Sequence, residues 1–331
     1  MEFDGTPLVF RADALAHGFT DHELRSARRS RDLLAIRPGA YVRKDDLAAL
    51  DSIAQHRLAV LAAGNAARDV VISHVSAAVL HGITVWNVPL ARVHSTIGRA
   101  TGGRITTRRH VHTARLGADD LTTVDGLVAT TTPARAIVDL ARTVPFESAV
   151  VSGDHALAAG IVTAVELGIA LSTCRGRRGS AQAARAVAFM DGRSESVGES
   201  RSRVLIHRMR LPAPDLQREI ADEKGVIGRV DFLFEHEHVV GEFDGLGKYT
   251  EHLRPGQSSE QAVIDEKLRE DRIRATGLGV ARWGWRELST PDEVVRRIRR
   301  AIASAAAAPT MAMPHPRSEV RHDEKRSDDV R

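Results

Sequence analysis

The chain is poor in cysteine, poor in aromatic residues and free of long apolar runs. Cys174 is its only cysteine among 331 residues. A disulfide framework is therefore excluded, and a reducing, cytoplasmic setting is expected. No apolar stretch reaches the roughly 18 residues needed to span a bilayer, so no membrane segment is expected. The first residues lack a basic segment followed by an apolar one, so no secretory signal is expected either. Aromatics make up only 4% of the chain, while arginine and alanine are abundant. What remains is 43% hydrophobic and 27% charged, the composition of a globular protein, in a chain long enough for two or three domains. The net charge is +4 and the pI about 9.6. The arginines are clustered, which suits a polyanionic partner.

The most informative stretch runs from Arg229 to Tyr249, RVDFLFEHEHVVGEFDGLGKY. Two apolar runs flank a short polar loop, the pattern of a β-hairpin. A two-residue turn at His236-Glu237 sets residue 231 opposite residue 242, and a four-residue loop from Glu235 to His238 keeps that register. A loop of three or five residues would shift it by one. In this register Val230, Phe232, Phe234, Val239 and Phe243 share a core face. Asp231, Glu242 and Asp244 share the other, with Leu233 and Val240. Directly opposed residues have Cβ atoms about 5 Å apart, where like charges repel. A divalent cation would resolve the repulsion, because Mg²⁺ is commonly held by one or two carboxylates. The alternative is a solvated acidic strand face.

Around the hairpin stand Glu199 in an amphipathic helix, Gln217, a charged helix EKLREDRIRATG, and a strand with Arg282 and Trp283. This order, with Glu199, Gln217, Asp231, Glu242, Asp244, Lys248, Glu266, Lys267, Arg269 and Asp271, resembles the PD-(D/E)XK nuclease superfamily. Within it, the stretch 195–300 is most similar to very short patch repair endonucleases. The superfamily usually has lysine two residues after the glutamate, and here that position is Asp244. The resemblance implies a mixed sheet flanked by helices and Mg²⁺- or Mn²⁺-dependent cleavage of DNA phosphodiesters. It implies Asp231, Glu242 and Asp244 as metal ligands and Glu199 as a further catalytic group. Lys248 would replace the missing lysine, with Lys267 as the alternative. Arg269, Arg272 and Arg282, together with Lys267, would hold phosphates, unless Lys267 and Arg269 simply pair with Glu266 and Glu270.

Near the N-terminus, a short helix ends at Gly18, and Thr20 with Glu23 forms a capping-box pattern before a second helix. Two short strands around Pro38-Gly39 follow. Helix, turn, helix and wing is a DNA-binding order. The segment resembles the winged-helix domain of AbiEi-type antitoxins of type IV toxin–antitoxin systems. Arg25, Arg28, Arg29 and Arg31 would contact phosphates first. The alternative is a scaffold domain with a solvated basic face. A single helix is expected over 45–65, with Leu47, Leu50, Ile53, Ala54, Leu58 and Leu61 at helical spacing.

Residues 70–160 read as a second α/β module and resemble the central region of AbiEi-like proteins. The resemblance rests on Ser73-His74, Thr132-Pro133-Ala134-Arg135, Asp139-Leu140-Ala141, and Asp154 with Ala156-Leu157. His74 and Asp154 are expected as a helix cap and a satisfied buried pair. His110 and His112 alternate with Val111 in an acid-free stretch rich in arginine, and metal binding there is not expected because no cysteine or carboxylate accompanies them. Arg177 and Arg178 lie in a basic, glycine-flanked segment expected as a linker able to grip DNA. The tail beyond Pro309 has few large apolar residues and is expected to be disordered.

The expected architecture is thus a mixed α/β multidomain chain. A winged helix-turn-helix with connecting helix spans 1–69, a central domain 70–171, and a basic linker and helix 172–194. A nuclease-like domain spans 195–308, and a tail 309–331. DNA is the expected partner, together with a cognate toxin or defence protein in the antitoxin setting. The competing expectation is a non-catalytic DNA-binding antitoxin or repressor whose nuclease-like domain is inactive, and a third is a housekeeping repair nuclease.

Overall fold

The computed structural model describes residues 7–64, 70–125, 128–245 and 258–306. Lys248 and the tail from Pro309 lie outside them. The chain is mixed α/β and divides into two compact units, Met1–Leu211 and Pro212–Arg331. No helix among the described residues is long and apolar enough to cross a membrane.

The first unit opens with β1 (Leu8–Phe10), α1 (Arg11–Ala16), α2 (Asp21–Arg29), β2 (Leu33–Arg37) and β3 (Ala40–Arg43). The strands form an antiparallel sheet in the order β1-β3-β2. Strand alternation sorts its side chains. Val9 and Tyr41 pack with Ala14 and Leu24 of the two helices. Leu8 and Val42 pack with Leu58 and Ala62 of a later helix. The Thr20–Glu23 capping box is formed: the Glu23 N–H donates to the Thr20 hydroxyl at 3.2 Å, and the Thr20 N–H donates to Glu23 at 2.7 Å. The single helix expected over 45–65 is instead α3 (Lys44–Ala48) and α4 (Ser52–Gly64). The break has a local cause, since the Asp51 carboxylate accepts the Ala54 N–H at 2.7 Å and caps α4 from outside it.

The unit continues with β4 (Val71–Ile72), α5 (His74–Leu80), β5 (Val93–Ile97), β6 (Arg104–Ile105), β7 (Arg109–Thr113), β8 (Leu121–Val124) and β9 (Val128–Thr131). These strands form one sheet in the order β6-β7-β5-β4-β9-β8, in which β5 and β7 run parallel. Five helices follow: α6 (Pro133–Ala141), α7 (Phe146–Ala158), α8 (Ala164–Thr173), α9 (Ser180–Phe189) and α10 (Val197–Arg208). Every residue of α5 and α6 except Pro133 is buried. The segment expected as a basic linker is part of this packing. Cys174 is fully buried, Arg177 donates to the Arg115 carbonyl at 3.0 Å, and a Cβ on Gly179 would lie 2.3 Å from the Arg142 carbonyl oxygen.

The second unit is a four-stranded sheet in the order β10-β11-β12-β13, formed by β10 (Asp215–Asp222), β11 (Gly225–Phe234), β12 (Val239–Asp244) and β13 (Gly279–Gly284). β10 and β12 each pair antiparallel with β11, and β13 runs parallel to β12. Helix α11 (Ser259–Ala275) precedes β13, and α12 (Trp285–Leu288) and α13 (Pro291–Ala306) follow it. The hairpin has the expected register, with Phe232 opposite Gly241, Leu233 opposite Val240 and Phe234 opposite Val239 around a four-residue connection. Val230, Phe232, Phe234, Val239 and Phe243 are all buried.

Candidate functional site

In the second unit the hairpin forks. β10 and β11 pair along most of their length, and β12 and β13 pair from Val239 to Asp244. The β11–β12 ladder, in contrast, stops at Phe232 and Gly241. Beyond that pair Asp231 bridges the widening gap with its side chain, accepting the Phe243 N–H at 2.8 Å. The carboxylate thus replaces a backbone acceptor. On the opposite flank, Gln217 holds φ +54° between residues paired with Phe232 and Val230, which sets it beside Asp231. A non-glycine residue in the left-handed region within a strand is strained, and such residues concentrate at functional sites.

Glu242 is the buried centre of this arrangement, only 3% exposed. The expectation of a solvated acidic strand face does not hold for it, because α11 covers this side of the sheet. Ile273 of α11 packs with Leu233 and Val240 of the same face. Arg269 of α11 donates to Glu242 Oε1 at 2.7 Å, and Arg282, its neighbour on β13, brings Nη2 to 2.7 Å from Oε2. That second contact is an ion pair without hydrogen-bond alignment, so Oε2 is a buried oxygen with no aligned donor. Burial pushes the Glu242 carboxyl above its ordinary value, while Arg282 and Arg269 pull the other way. Arg282 also contacts Glu266, Glu270 at 2.9 Å and, more distantly, Asp244 at 3.7 Å. These acids hold its guanidinium firmly protonated.

The expected site residues are spread over both units. Asp231, Glu242 and Asp244 come from the fork, but among the described residues their carboxylates do not form a group with all ligand atoms within 4.8 Å. Glu199 lies on α10, in the first unit. Its carboxylate accepts the Ser196 hydroxyl at 2.7 Å and the Glu195 N–H at 3.0 Å, so it caps its own helix. Arg269 and Arg272 are engaged within the unit, Arg269 with Glu242 and Glu266, Arg272 in a two-pronged pair with Asp222 at 2.7 and 2.8 Å. Lys267 is exposed on α11, and Arg178 is exposed in the first unit. Arg25, Arg28, Arg29 and Arg31 are all exposed on or just after α2, with Arg28 5.6 Å from the centre of the Tyr41 ring.

No family model matches the chain. Two Mycobacterium tuberculosis proteins are similar to it, the uncharacterized protein Rv2248 of strain ATCC 25618 / H37Rv and the uncharacterized protein MT2308 of strain CDC 1551 / Oshkosh. Each is 30% identical over 202 residues, which is 59% of this chain and 69% of the relative. The chain belongs to their family. Among solved structures, the crystal structure of the RV2827C protein from Mycobacterium tuberculosis has a TM-score of 0.35 at 17% identity, covering 66% of this chain and 85% of that one. That likeness is too slight to bear on fold or function.

A second polar cluster was not foreseen. In the first unit the parallel β5–β7 pair sets His94 beside His110 and Thr96 beside His112. His94 Nδ1 and His112 Nε2 are 3.1 Å apart, and the rings of His110 and His112 stack with centroids 3.8 Å apart. His74, expected to face Asp154, instead lies flat on His112 with centroids 3.6 Å apart. Asp154 pairs with Arg203 of α10 at 2.7 Å. Burial and neighbouring imidazoles depress the His112 pKa to about 2 and the His94 pKa to about 4, so both are neutral. His110 and His112 were visible as an alternating pair, but nothing local points to His94, which is brought in by a crossover.

Proposed function

We propose that this chain is a DNA-binding protein whose second unit cleaves DNA phosphodiester bonds with Mg²⁺ or Mn²⁺. The observation that carries this reading is Glu242, a buried carboxylate on β12 one residue beyond the end of the hairpin ladder, as Asp231 is on β11, with the strained Gln217 beside Asp231 on β10. Burying a carboxylate is costly unless it is paired, and folds that need only stability replace such groups with apolar ones. The donor set suits the ion: every candidate ligand is a carboxylate oxygen, and Mg²⁺ and Mn²⁺ prefer such hard donors. Glu242 Oε2 is buried and paired with Arg282 at 2.7 Å without hydrogen-bond alignment, so a metal ion would have to share it with that guanidinium. Asp231 and Glu242 would hold the ion, with Asp244 as a further ligand. The metal would supply Lewis acidity and an activated water. Arg269 and Arg282 fix the Glu242 carboxylate and oppose its protonation. On α2, the exposed Arg25, Arg28 and Arg29, with Arg31 just beyond, offer a winged-helix-type surface for duplex phosphates.

One second reading has an observation behind it. Asp244 stands where the nuclease superfamily has lysine, and both Glu242 oxygens lie 2.7 Å from guanidinium nitrogens. These features fit a non-catalytic antitoxin or repressor. Incubating supercoiled plasmid with the full chain and Mg²⁺ or Mn²⁺ separates the two. Cleavage is expected with metal and not with EDTA, and is expected to be lost in Glu242→Gln and Asp231→Asn. Salt-sensitive duplex binding without cleavage under either metal would establish the second reading instead.

A further inference from the structure

We infer that His94, His110 and His112 of the first unit form a binding site for a divalent transition-metal ion of the Zn²⁺ type. All three belong to the first unit, whereas Asp231, Glu242 and Asp244 belong to the second. The three residues each offer a ring nitrogen, and among the described residues theirs is the one group whose ligand atoms all lie within 4.8 Å of one another. The backbone makes this grouping unavoidable. β5 and β7 pair in parallel, so His94 and His110 are direct neighbours and His112 is one step along the same face. Two nitrogens each about 2.0–2.1 Å from a tetrahedral ion lie about 3.3 Å apart. His94 Nδ1 and His112 Nε2 are already at 3.1 Å. A ring nitrogen of His110 lies within 4.8 Å of both.

The donor chemistry selects the ion. Three imidazoles suit Zn²⁺, Cu²⁺ and Ni²⁺, whereas Mg²⁺ and Ca²⁺ require oxygen. Three protein ligands also leave a tetrahedral ion one open position, the arrangement of exchangeable rather than purely structural zinc. The cluster opens on a cavity of about 180 Å³ lined also by His74, Val75 and Val88, large enough for a water or a small ligand at that position. His74 supports the group from behind. Its ring lies flat on His112, its Nδ1 is 2.9 Å from the Ser73 hydroxyl, and that hydroxyl accepts a hydrogen bond from Thr96 at 2.8 Å. This packing limits the orientations open to the His112 ring. Arg142, just beyond α6, is paired with Asp139 at 2.7 Å, and Arg92, which lines the same cavity, is a cation that a bound ion must tolerate.

The competing account of the 3.1 Å contact is a plain imidazole–imidazole hydrogen bond with no affinity for metal. The two are distinguished on the full chain, stripped with EDTA, dialysed and titrated calorimetrically with Zn²⁺. One tight Zn²⁺ per chain is expected in the presence of excess Mg²⁺, and Co²⁺ in its place should give the intense visible bands of a tetrahedral site. Changes to outer partners cost about 10–100-fold in affinity, so removing a ligand by His110→Ala should cost more than about 100-fold. His110 is half-buried, so this variant tests the ligand with the least disturbance of packing. Glu242→Gln should bind Zn²⁺ as the wild type does. Absence of binding, Zn²⁺ affinity unchanged in His110→Ala, or a loss that follows Glu242→Gln instead would each overturn the assignment.

Discussion

Asp154 has a fully buried side chain and yet must carry or lose a charge. Arg203 at 2.7 Å and the Asp191 N–H at 2.8 Å favour the carboxylate, but burial opposes it more strongly and pushes the pKa up to about 6. The ordinary value is 3.8. A carboxyl whose pKa is raised by folding binds its proton more tightly in the native state. Its contribution to stability is therefore complete below about pH 4 and is lost as the pH rises through about 6. At 1.36 kcal/mol per pKa unit, a shift of about 2 units is worth about 3 kcal/mol. The stability difference between wild type and Asp154→Asn should shrink by about that amount between pH 4 and pH 7. Denaturant unfolding across that range measures it. A difference flat with pH would mean that Arg203 keeps Asp154 ionised throughout. At this scale the sequence yields identities but not partners. His74 and Asp154 were both legible as unusual polar residues, yet one stacks on His112 and the other meets Arg203, through contacts 38 and 49 positions apart.

Elements were legible where the pattern repeats within a few residues. The hairpin register follows from alternation alone, because a one-residue slip would turn Phe232 and Phe234 away from the core. β10 was not legible, since only Leu216 and Ile220 of its eight residues are buried and it acquires strand character by pairing with β11. The covering of Glu242 was hidden for a similar reason: it depends on α11 and on a parallel partner strand about 40 residues downstream. Between β12 and β13 the close fit has an identifiable basis in Gly241. A Cβ there would come within 2.6 Å of the Trp283 ring and 3.3 Å of Phe232 Cβ. Trp283 is 1% exposed and stacks with Phe232 at 5.5 Å, so neither ring can move into water. Gly241→Ala should therefore destabilise the second unit by about 1–3 kcal/mol, as overpacking does in tight cores. Thermal unfolding followed by tryptophan fluorescence reads the change. An unchanged or raised midpoint would show that the strands separate to accept the methyl group.

On the scale of the whole molecule, sequence and contacts divide the chain at different places. Resemblance to nucleases assigns the helix bearing Glu199 to the C-terminal domain, with a boundary at 194/195. Contacts place the division at Leu211/Pro212 and keep α10 with the first unit. The reason is physical. Arg203 of α10 answers the buried Asp154 of α7, and Arg201 pairs with Glu147 of the same helix at 2.7 Å. Val204 and Ile206 of α10 are 1% exposed. A fragment ending at residue 211 should then fold with a single cooperative transition. A fragment ending at residue 194 loses those apolar contacts and leaves Asp154 without its guanidinium. Removing one member of a buried ion pair costs about 3–5 kcal/mol, so the shorter fragment should be less stable by at least that much. The two contributions are separable, because Asp154→Asn removes the stranded charge but restores no packing. In the 1–194 fragment that substitution should recover part of the loss, whereas in the 1–211 fragment its effect at neutral pH should be smaller, because Arg203 there already offsets part of the burial of Asp154. Denaturant unfolding of the four proteins compares the two effects. Equal stability of the two wild-type fragments would show that α10 contributes nothing to the stability of the first unit.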